Sequence, residues 1–267
     1  MSPPPLDIGA LAEQAWDTLR QRLTAAGIAL QPAYIEAITP VWRALPQNAF
    51  AALAFANALM INDRFVLYRR LMDLAREEAC GAALLGWAID HSGPSLAETL
   101  ADHRKDELRH SRMYLSACDS VLPERAGDRI RDFEVSAEEE FGQPLDRDSV
   151  APLMASIHVG ELRNWINLSI YLSLLSQSNC IYAEHLHSVI KTVENDESHH
   201  VFYTSAFVNK WLMEENCGDE SFRNIARSYA GCWWNDVARI NRWAATERDF
   251  KAASPCHVPD HRDPRQD

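Results

Sequence analysis

The sequence lacks three features that would point to common functional classes. No two of its six cysteines, at positions 80, 118, 180, 217, 232 and 256, lie three residues apart. It therefore has no CxxC pair for a redox centre, a zinc knuckle or a rubredoxin-type iron module. No apolar run approaches the ~18–20 residues that cross a membrane, and the net charge of −12 disfavours a nucleic acid as the main partner. Isolated cysteines without a signal peptide predict a reducing, cytoplasmic environment and no membrane association.

Glycine is scarce, with 10 residues, and runs of β-branched residues are few. Ala, Leu, Glu and Arg are frequent instead, which favours helices. Hydrophobic residues make up 47% of the chain, enough for a packed core. We therefore predict an all-α protein with a single helical domain over residues 1–267, which begins with an extended leader at 1–5 and ends in a frayed tail at 254–267.

Helical periodicity predicts eight helices, at about 6–27, 32–44, 48–59, 62–91, 95–121, 149–177, 181–214 and 219–249. A capping box formed by Ser95 and Glu98 would begin the fifth helix. The charged segment 123–148 has an irregular pattern, with at most one short helix. The four longest central helices, between about 62 and 214, thus form two hairpins with short turns, joined by one long crossover, which is the connectivity of a ferritin-like four-helix bundle.

Two stretches of the chain share one form. Asp106-Glu107-Leu108-Arg109-His110 and Asp196-Glu197-Ser198-His199-His200 both read Asp-Glu-x-x-His. A glutamate and a histidine three residues apart lie on one face of a helix, one turn from each other, and can bind one metal ion together. Two such pairs predict a dinuclear metal site.

A lone glutamate precedes each motif at a matching height in its hairpin. Glu78 lies 13 residues before position 91 and Glu107 lies 12 after position 95, whereas Glu161 lies 16 before position 177 and Glu197 lies 16 after position 181. At ~1.5 Å per residue, each pair matches within about one residue's rise. A glutamate within a core-facing stripe is costly unless it is paired or bound to a metal.

The order Glu, Glu-x-x-His, Glu, Glu-x-x-His resembles that of the ferritin-like di-iron carboxylate proteins. The first motif matches the Asp-Glu-x-Arg-His form of their oxygen-activating branch, whereas the second has His199 in place of Arg. The resemblance covers about residues 62–214 and leaves the flanking helices unexplained. It implies metal and catalytic roles for the following residues: Glu78, Glu107 and His110 at one ion, and Glu161, Glu197 and His200 at the other, with two of the glutamates bridging. Carboxylate-rich ligands suit two iron ions, with manganese or a mixed Fe/Mn pair as alternatives.

Neighbouring residues leave some assignments open. Glu77 is an alternative to Glu78, but it shares a face with Arg70 and Asp73 that we expect to be more solvated. Asp106 and Asp196 would accept hydrogen bonds from the ligand histidines. His103 and His158 are alternatives as additional ligands, but we expect them to be hydrogen-bonded histidines of the core or rim, and Glu194 is a weak candidate for an outer partner of the site. Lining of a substrate pocket is the alternative to core filling for four aromatic residues: Tyr114, Tyr171, Tyr203 and Trp165. We expect Trp233, Trp234 and Trp243 to pack against the bundle.

The resemblance implies an O2-dependent non-haem di-iron oxidoreductase that hydroxylates, N-oxygenates or desaturates a small organic substrate. An electron donor such as a ferredoxin or a reductase would be its partner, and the resemblance is compatible with a homodimer. One alternative is a haem-oxygenase-like di-iron oxidase, since Asp196 and His200 fit its Asp-x-x-x-His spacing. A second alternative is a ferroxidase or another metal-binding protein.

Overall fold

The computed structural model describes residues 8–43, 47–128, 133, 150–214, 218–230 and 232–253. The described residues form α-helices and no β-strand, which confirms the predicted all-α class. The helices are α1 (Ile8–Ala25), α2 (Pro32–Arg43), α3 (Gln47–Asn62), α4 (Arg64–His91), α5 (Pro94–Val121), α6 (Val150–Leu175), α7 (Ala183–Glu214), α8 (Gly218–Ala230) and α9 (Cys232–Ala253). The predicted leader at 1–5 and tail at 254–267 lie outside the described residues. Across the described helices, none is both long enough and apolar enough to span a membrane.

Helices α4 and α5 begin at different kinds of N-terminal cap. The Asp63 side chain accepts hydrogen bonds from the backbone N–H groups of Phe65 and Val66, and this cap separates α4 from α3. Helix α5 begins at Pro94, behind Gly93, with no side-chain cap. The predicted capping box at Ser95 is therefore wrong, because a proline with its fixed φ angle starts the helix one residue earlier.

Four long helices form two antiparallel pairs. Helix α4 packs along α5 and α6 packs along α7, while α5 also contacts α7 and α4 contacts α6. Short connections, at residues 92–93 and 176–182, join the members of each pair. The connection between the pairs begins with a 3-10 helix at Pro123–Asp128, and most of the rest of it lies outside the described residues. This arrangement brings the middles of four helices together.

The flanking helices cover the four central ones. Helix α1 contacts α6 and α7, α2 packs against α8, and α9 packs against α3 and α4. The predicted helix at 219–249 corresponds to α8 and α9, and position 231 between them lies outside the described residues. The separate α9 lies against the face of α4 that carries Glu77.

Candidate metal centre

The six residues predicted as ligands lie together at mid-height of the four central helices. Their side chains form two overlapping groups that could each hold a metal ion, within which the donor atoms lie within 4.8 Å of one another. The first group is Glu78, Glu107, His110 and Glu197, and the second is His103, Glu107, Glu161 and His200. Glu107 belongs to both groups. Apart from the partly buried Glu161, all of these side chains are buried.

Two glutamates occupy the centre of the cluster. Glu197 directs Oε1 towards Nδ1 of His110, at 3.6 Å, and Oε2 towards Nδ1 of His200, at 3.3 Å. Glu107 Oε1 likewise lies 3.9 Å from Nδ1 of His110 and 3.6 Å from Nδ1 of His200. Each of these carboxylates therefore lies between the two histidines, which is where a bridging ligand of two ions would lie.

His110 and His200 each lie beside the aspartate of the opposite motif. Nε2 of His110 lies 3.1 Å from Oδ2 of Asp196, and Nε2 of His200 lies 3.5 Å from Oδ2 of Asp106. Arg109 donates to both aspartates, at 2.7 Å each, and so ties α5 to α7. In the neutral imidazole that a metal ion would require, an acceptor at Nε2 favours the tautomer with its proton on Nε2, which would leave the Nδ1 lone pair facing the glutamates. The predicted hydrogen bond from a histidine to an aspartate is present for His110, whereas Nε2 of His200 lies near Asp106 and has no hydrogen-bond partner among the described residues; both contacts cross between the motifs.

His103 lies within the Glu/His cluster, although we expected it to have only a structural role. It is hydrogen-bonded as predicted, with Nδ1 at 2.6 Å from the Tyr203 hydroxyl. Its Nε2, however, lies 3.1 Å from Glu107 Oε1 and 3.2 Å from Glu161 Oε1, and its ring is 3.6 Å from that of His200, centre to centre. The sequence indicates this position of His103 near the cluster, because His103 lies one turn before Glu107 on the same face of α5.

Burial and mutual repulsion dominate the ionisation of the cluster. Burial and the neighbouring glutamates raise the pKa of Glu107 well above its ordinary value, and burial and Glu197 raise the pKa of Glu161 to about 7. Burial opposes a charge on His110, but the Glu197 and Glu78 carboxylates raise its pKa to about 11. A positive charge is therefore favoured among these carboxylates. A metal ion that binds here would have to displace the protons that the carboxylates hold.

Two observations fit a metal centre. Nδ1 of His110 is buried and has no hydrogen-bond partner among the described residues, although it faces carboxylates. Gly81 on α4 makes room for the Glu107 carboxylate, since a Cβ at position 81 would lie 2.7 Å from Glu107 Oε2. Oxygen-rich donors with few imidazoles suit iron or manganese better than copper or zinc.

Glu77 and Glu78 lie in different surroundings. Glu78 is buried, with Oε2 at 3.6 Å from Nδ1 of His110, whereas Glu77 accepts hydrogen bonds from Arg70 and Arg239. The Glu77 face is the more exposed of the two, as expected, since the side chains of Glu77 and Asp73 are 39% and 35% exposed and that of Glu78 is 4% exposed. Arg70 is the exception on this face, because it is 3% exposed and donates to the Tyr171 hydroxyl and to Glu77.

The other candidates have structural partners. His158 is fully buried between the hydroxyls of Tyr34 and Thr204, at 2.8 and 2.9 Å, which confirms its predicted hydrogen-bonded role. Glu194 accepts hydrogen bonds from Trp165 Nε1 and Lys191 Nζ and belongs to neither ligand group. The remaining aromatic candidates divide by exposure: Tyr114, Tyr171 and Trp165 are buried, Tyr203 and Trp243 are half-buried, Trp234 is exposed, and the Trp233 side chain lies outside the described residues.

A cavity of about 230 Å³ reaches the cluster from the side of α4 and α6. The cluster residues that line it are Glu78, Glu107 and Glu161. The crossed aspartates and Arg109 lie on the α5 and α7 side instead. A small molecule in the cavity would therefore meet the carboxylates and not the histidines.

Comparison of the chain with protein-family models, with curated proteins and with solved structures found no match. The cluster and its surroundings therefore carry the evidence for a function of this chain.

Proposed function

We propose that this chain holds two metal ions in the Glu/His cluster and acts as an O2-dependent non-haem di-iron oxidoreductase on a small organic substrate. The observation that carries the proposal is the position of Glu107 in both ligand groups. A carboxylate shared by two sets of donors is suited to hold two ions side by side.

The ligands would divide around the two central glutamates. Glu78 and His110 would hold one ion and Glu161 and His200 the other, while Glu107, which belongs to both groups, and Glu197, which lies between the two histidines, would serve both. His103 would be an additional donor in the second group. Two iron ions would supply the reduction of O2 that hydroxylation, N-oxygenation or desaturation requires. Two electrons per turnover would come from a donor such as a ferredoxin or a reductase.

The chain's own residues would orient the ligands and admit the substrate. Asp106 and Asp196 would keep the proton of each ligand histidine on Nε2, with Arg109 holding both aspartates in place. The cavity between α4 and α6 would receive the organic molecule beside the carboxylates. Such a cavity supports an organic substrate over iron storage.

The position of Asp196 bears on the haem-oxygenase-like alternative, in which Asp196 would be a metal ligand. Here Glu197 is fully buried in the cluster, whereas Asp196 lies at its edge and pairs with Arg109 and His110. This difference favours the ferritin-like ligand set with Glu197.

Oxygen uptake by protein loaded with Fe(II) under anaerobic conditions tests the proposal. With a reductant, uptake should accelerate for at least one substrate in a panel of amines, phenols and acyl compounds. His110→Ala and His200→Ala should each abolish this acceleration while keeping the helical circular dichroism, because packing supplies most of the helical stability. His185→Ala, at an exposed position, is the control. Full activity in both cluster variants, or growth of ferric mineral with no effect of any substrate, would contradict the proposal.

A further inference from the structure

The cavity beside the cluster has two chemically different ends. Helices α4 and α6 are antiparallel here, since Arg70 donates to the Tyr171 hydroxyl while Leu85 and Ile157 share one apolar cluster. The cavity thus runs from an apolar end to a polar end across the three glutamates. The end near Leu84, Leu85 and Ile157 is mainly apolar, since the Ser156 and Tyr229 hydroxyls that also line the cavity hydrogen-bond to each other at 2.9 Å. The polar end is lined by Arg70, Arg163 and Asn167.

The charged groups at the polar end are already neutralised. Arg70 donates to Glu77, and Arg163 donates to Asp236 at 2.7 Å. An anionic ligand would have to compete with these carboxylates for the arginines, so the polar end has no free cation to offer it.

Two buried polar atoms at this end have no hydrogen-bond partner in the described parts of the chain. They are Oδ1 of Asn167, an acceptor, and Nε of Arg163, a donor. The two residues are four apart on α6, so their side chains lie one turn from each other on the same face. Asn167 is 3% exposed. Buried polar atoms without partners are rare in folded proteins, and a lined cavity is where a ligand can satisfy them.

We propose that this cavity binds a small uncharged molecule with a carboxamide at one end and a short apolar body at the other. The amide oxygen would accept from Nε of Arg163, and the amide N–H would donate to Oδ1 of Asn167. The body would lie towards Leu85 and Ile157, which places the middle of the molecule over the glutamates. The volume of about 230 Å³ lies below the ~300–1,000 Å³ typical of drug-sized ligands and suits a body no larger than one ring.

That this molecule is the substrate depends on the proposed function, whereas its binding does not. Isothermal titration calorimetry of the full-length, metal-loaded protein without O2 measures binding alone. Benzamide is the probe. Benzoate and benzylamine carry the same ring with a charged head group: benzoate has the acceptor oxygens but no N–H, and benzylamine has N–H groups but no acceptor. Benzamide should bind about tenfold more tightly than either compound, the effect expected of one well-placed hydrogen bond.

Variants at the polar end should remove the preference for benzamide. Asn167→Leu deletes the acceptor and keeps a similar volume, while Asn241→Leu, at an exposed position of α9, is the matched control. Arg163→Lys keeps a positive charge for Asp236 but loses Nε, and it provides a second test if Asn167→Leu does not fold. Each variant should weaken benzamide binding about tenfold. Asn167→Leu should leave the binding of benzoate, which has no N–H to donate, nearly unchanged, and Arg163→Lys should leave the binding of benzylamine, which has no acceptor, nearly unchanged.

Equal binding of benzamide and benzoate by the wild-type protein would overturn the inference, as would an unchanged preference in the folded variants. Binding with the expected preference but no oxygen uptake with any substrate would contradict the proposed function and support the ligand class. Oxygen uptake that is equally fast with substrates of any head group would support the proposed function and contradict the proposed ligand class.

Discussion

Asp196 on α7 lies 3.1 Å from Nε2 of His110 on α5, so the aspartate of the second motif supports the histidine of the first. The reciprocal contact joins Asp106 to His200, at 3.5 Å. Arg109 neutralises both aspartates where they reach the surface. Each Asp-Glu-x-x-His motif is therefore incomplete on its own helix, and the site forms only when α5 and α7 pack together.

Replacement of Asp196 by Ala should weaken metal binding without removing a ligand. Nε2 of His110 would lose its acceptor, and loss of such an outer contact typically lowers metal affinity about 10–100-fold. Competition with a coloured chelator measures the affinity, with Asp102→Ala as a control that breaks only the exposed ion pair to Lys105. A fall in stoichiometry from two ions to one at saturating metal would instead identify Asp196 as a ligand.

Gly81→Ala should weaken metal binding without lowering the stability of the fold. The new Cβ would lie 2.7 Å from Glu107 Oε2, so the carboxylate must move away from the position that both ligand groups share. The helix itself should gain about 0.5–1 kcal/mol from the alanine. We therefore expect a metal-free protein of equal or higher melting temperature that binds metal at least tenfold more weakly, as measured by chelator competition and thermal unfolding.

Gly160→Ala is the matched control for this variant. A Cβ at position 160 would meet only the Tyr229 ring, at an ordinary contact distance of 3.7 Å. It should give the same gain in helix stability with unchanged metal affinity. Equal metal affinity in both variants would show that Glu107 does not hold the metal.

The neighbours Glu77 and Glu78 should respond to alanine in opposite ways. Glu78→Ala should lower metal binding with little loss of stability, because it removes one of several buried carboxylates that repel each other. Glu77→Ala should keep metal binding but cost about 1–3 kcal/mol of unfolding free energy, since it leaves the buried Arg70 without its carboxylate partner. Urea unfolding and metal analysis of the two variants check this, and the reversed pattern would make Glu77 the ligand.

Much of the site follows from sequence spacing because its donors lie on regular helices. Helical periodicity places each glutamate one turn from its histidine, and short turns equalise heights within a hairpin. These two rules were enough to predict that Glu78, Glu107, Glu161 and Glu197 come together, as they do in the structure. Their role as metal ligands stays a prediction.

Features that depend on contacts between distant segments were not predictable in this way. The crossing of the aspartates requires the relative position of α5 and α7, and the room that Gly81 gives Glu107 requires the spacing of α4 and α5. The burial of Arg70 depends on a contact with Tyr171 of α6, which nothing in its own helix indicates. Side-chain periodicity reports which face of a helix a residue occupies, but not which helix packs on that face.

His158 should make the stability of the protein depend on pH. Burial lowers its pKa from 6.5 to about 3, so the unfolded chain binds a proton below pH 6.5 that the folded protein does not take up until about pH 3. The stabilisation from neutral His158 is thus complete above pH 6.5 and declines as the pH falls. Between pH 7 and pH 5, the loss from this one residue should be about 2 kcal/mol.

Urea unfolding of the wild-type protein and of His158→Gln at the two pH values isolates this contribution. The loss of unfolding free energy should be about 2 kcal/mol smaller in the variant. His185→Gln, at an exposed histidine, should behave like the wild-type protein. Equal losses in the wild-type protein and His158→Gln would mean that His158 is not kept neutral by burial.

The number of metal ions per chain tests the central claim most directly. The protein should be loaded with Fe(II) under anaerobic conditions, freed of excess metal and analysed for iron and protein, with His110→Ala and His200→Ala analysed in parallel. We expect about two iron ions per wild-type chain, because the two ligand groups share Glu107, and fewer in each variant. A stable value of one, a value near zero, or zinc retained in preference when iron is plentiful would contradict a dinuclear iron centre.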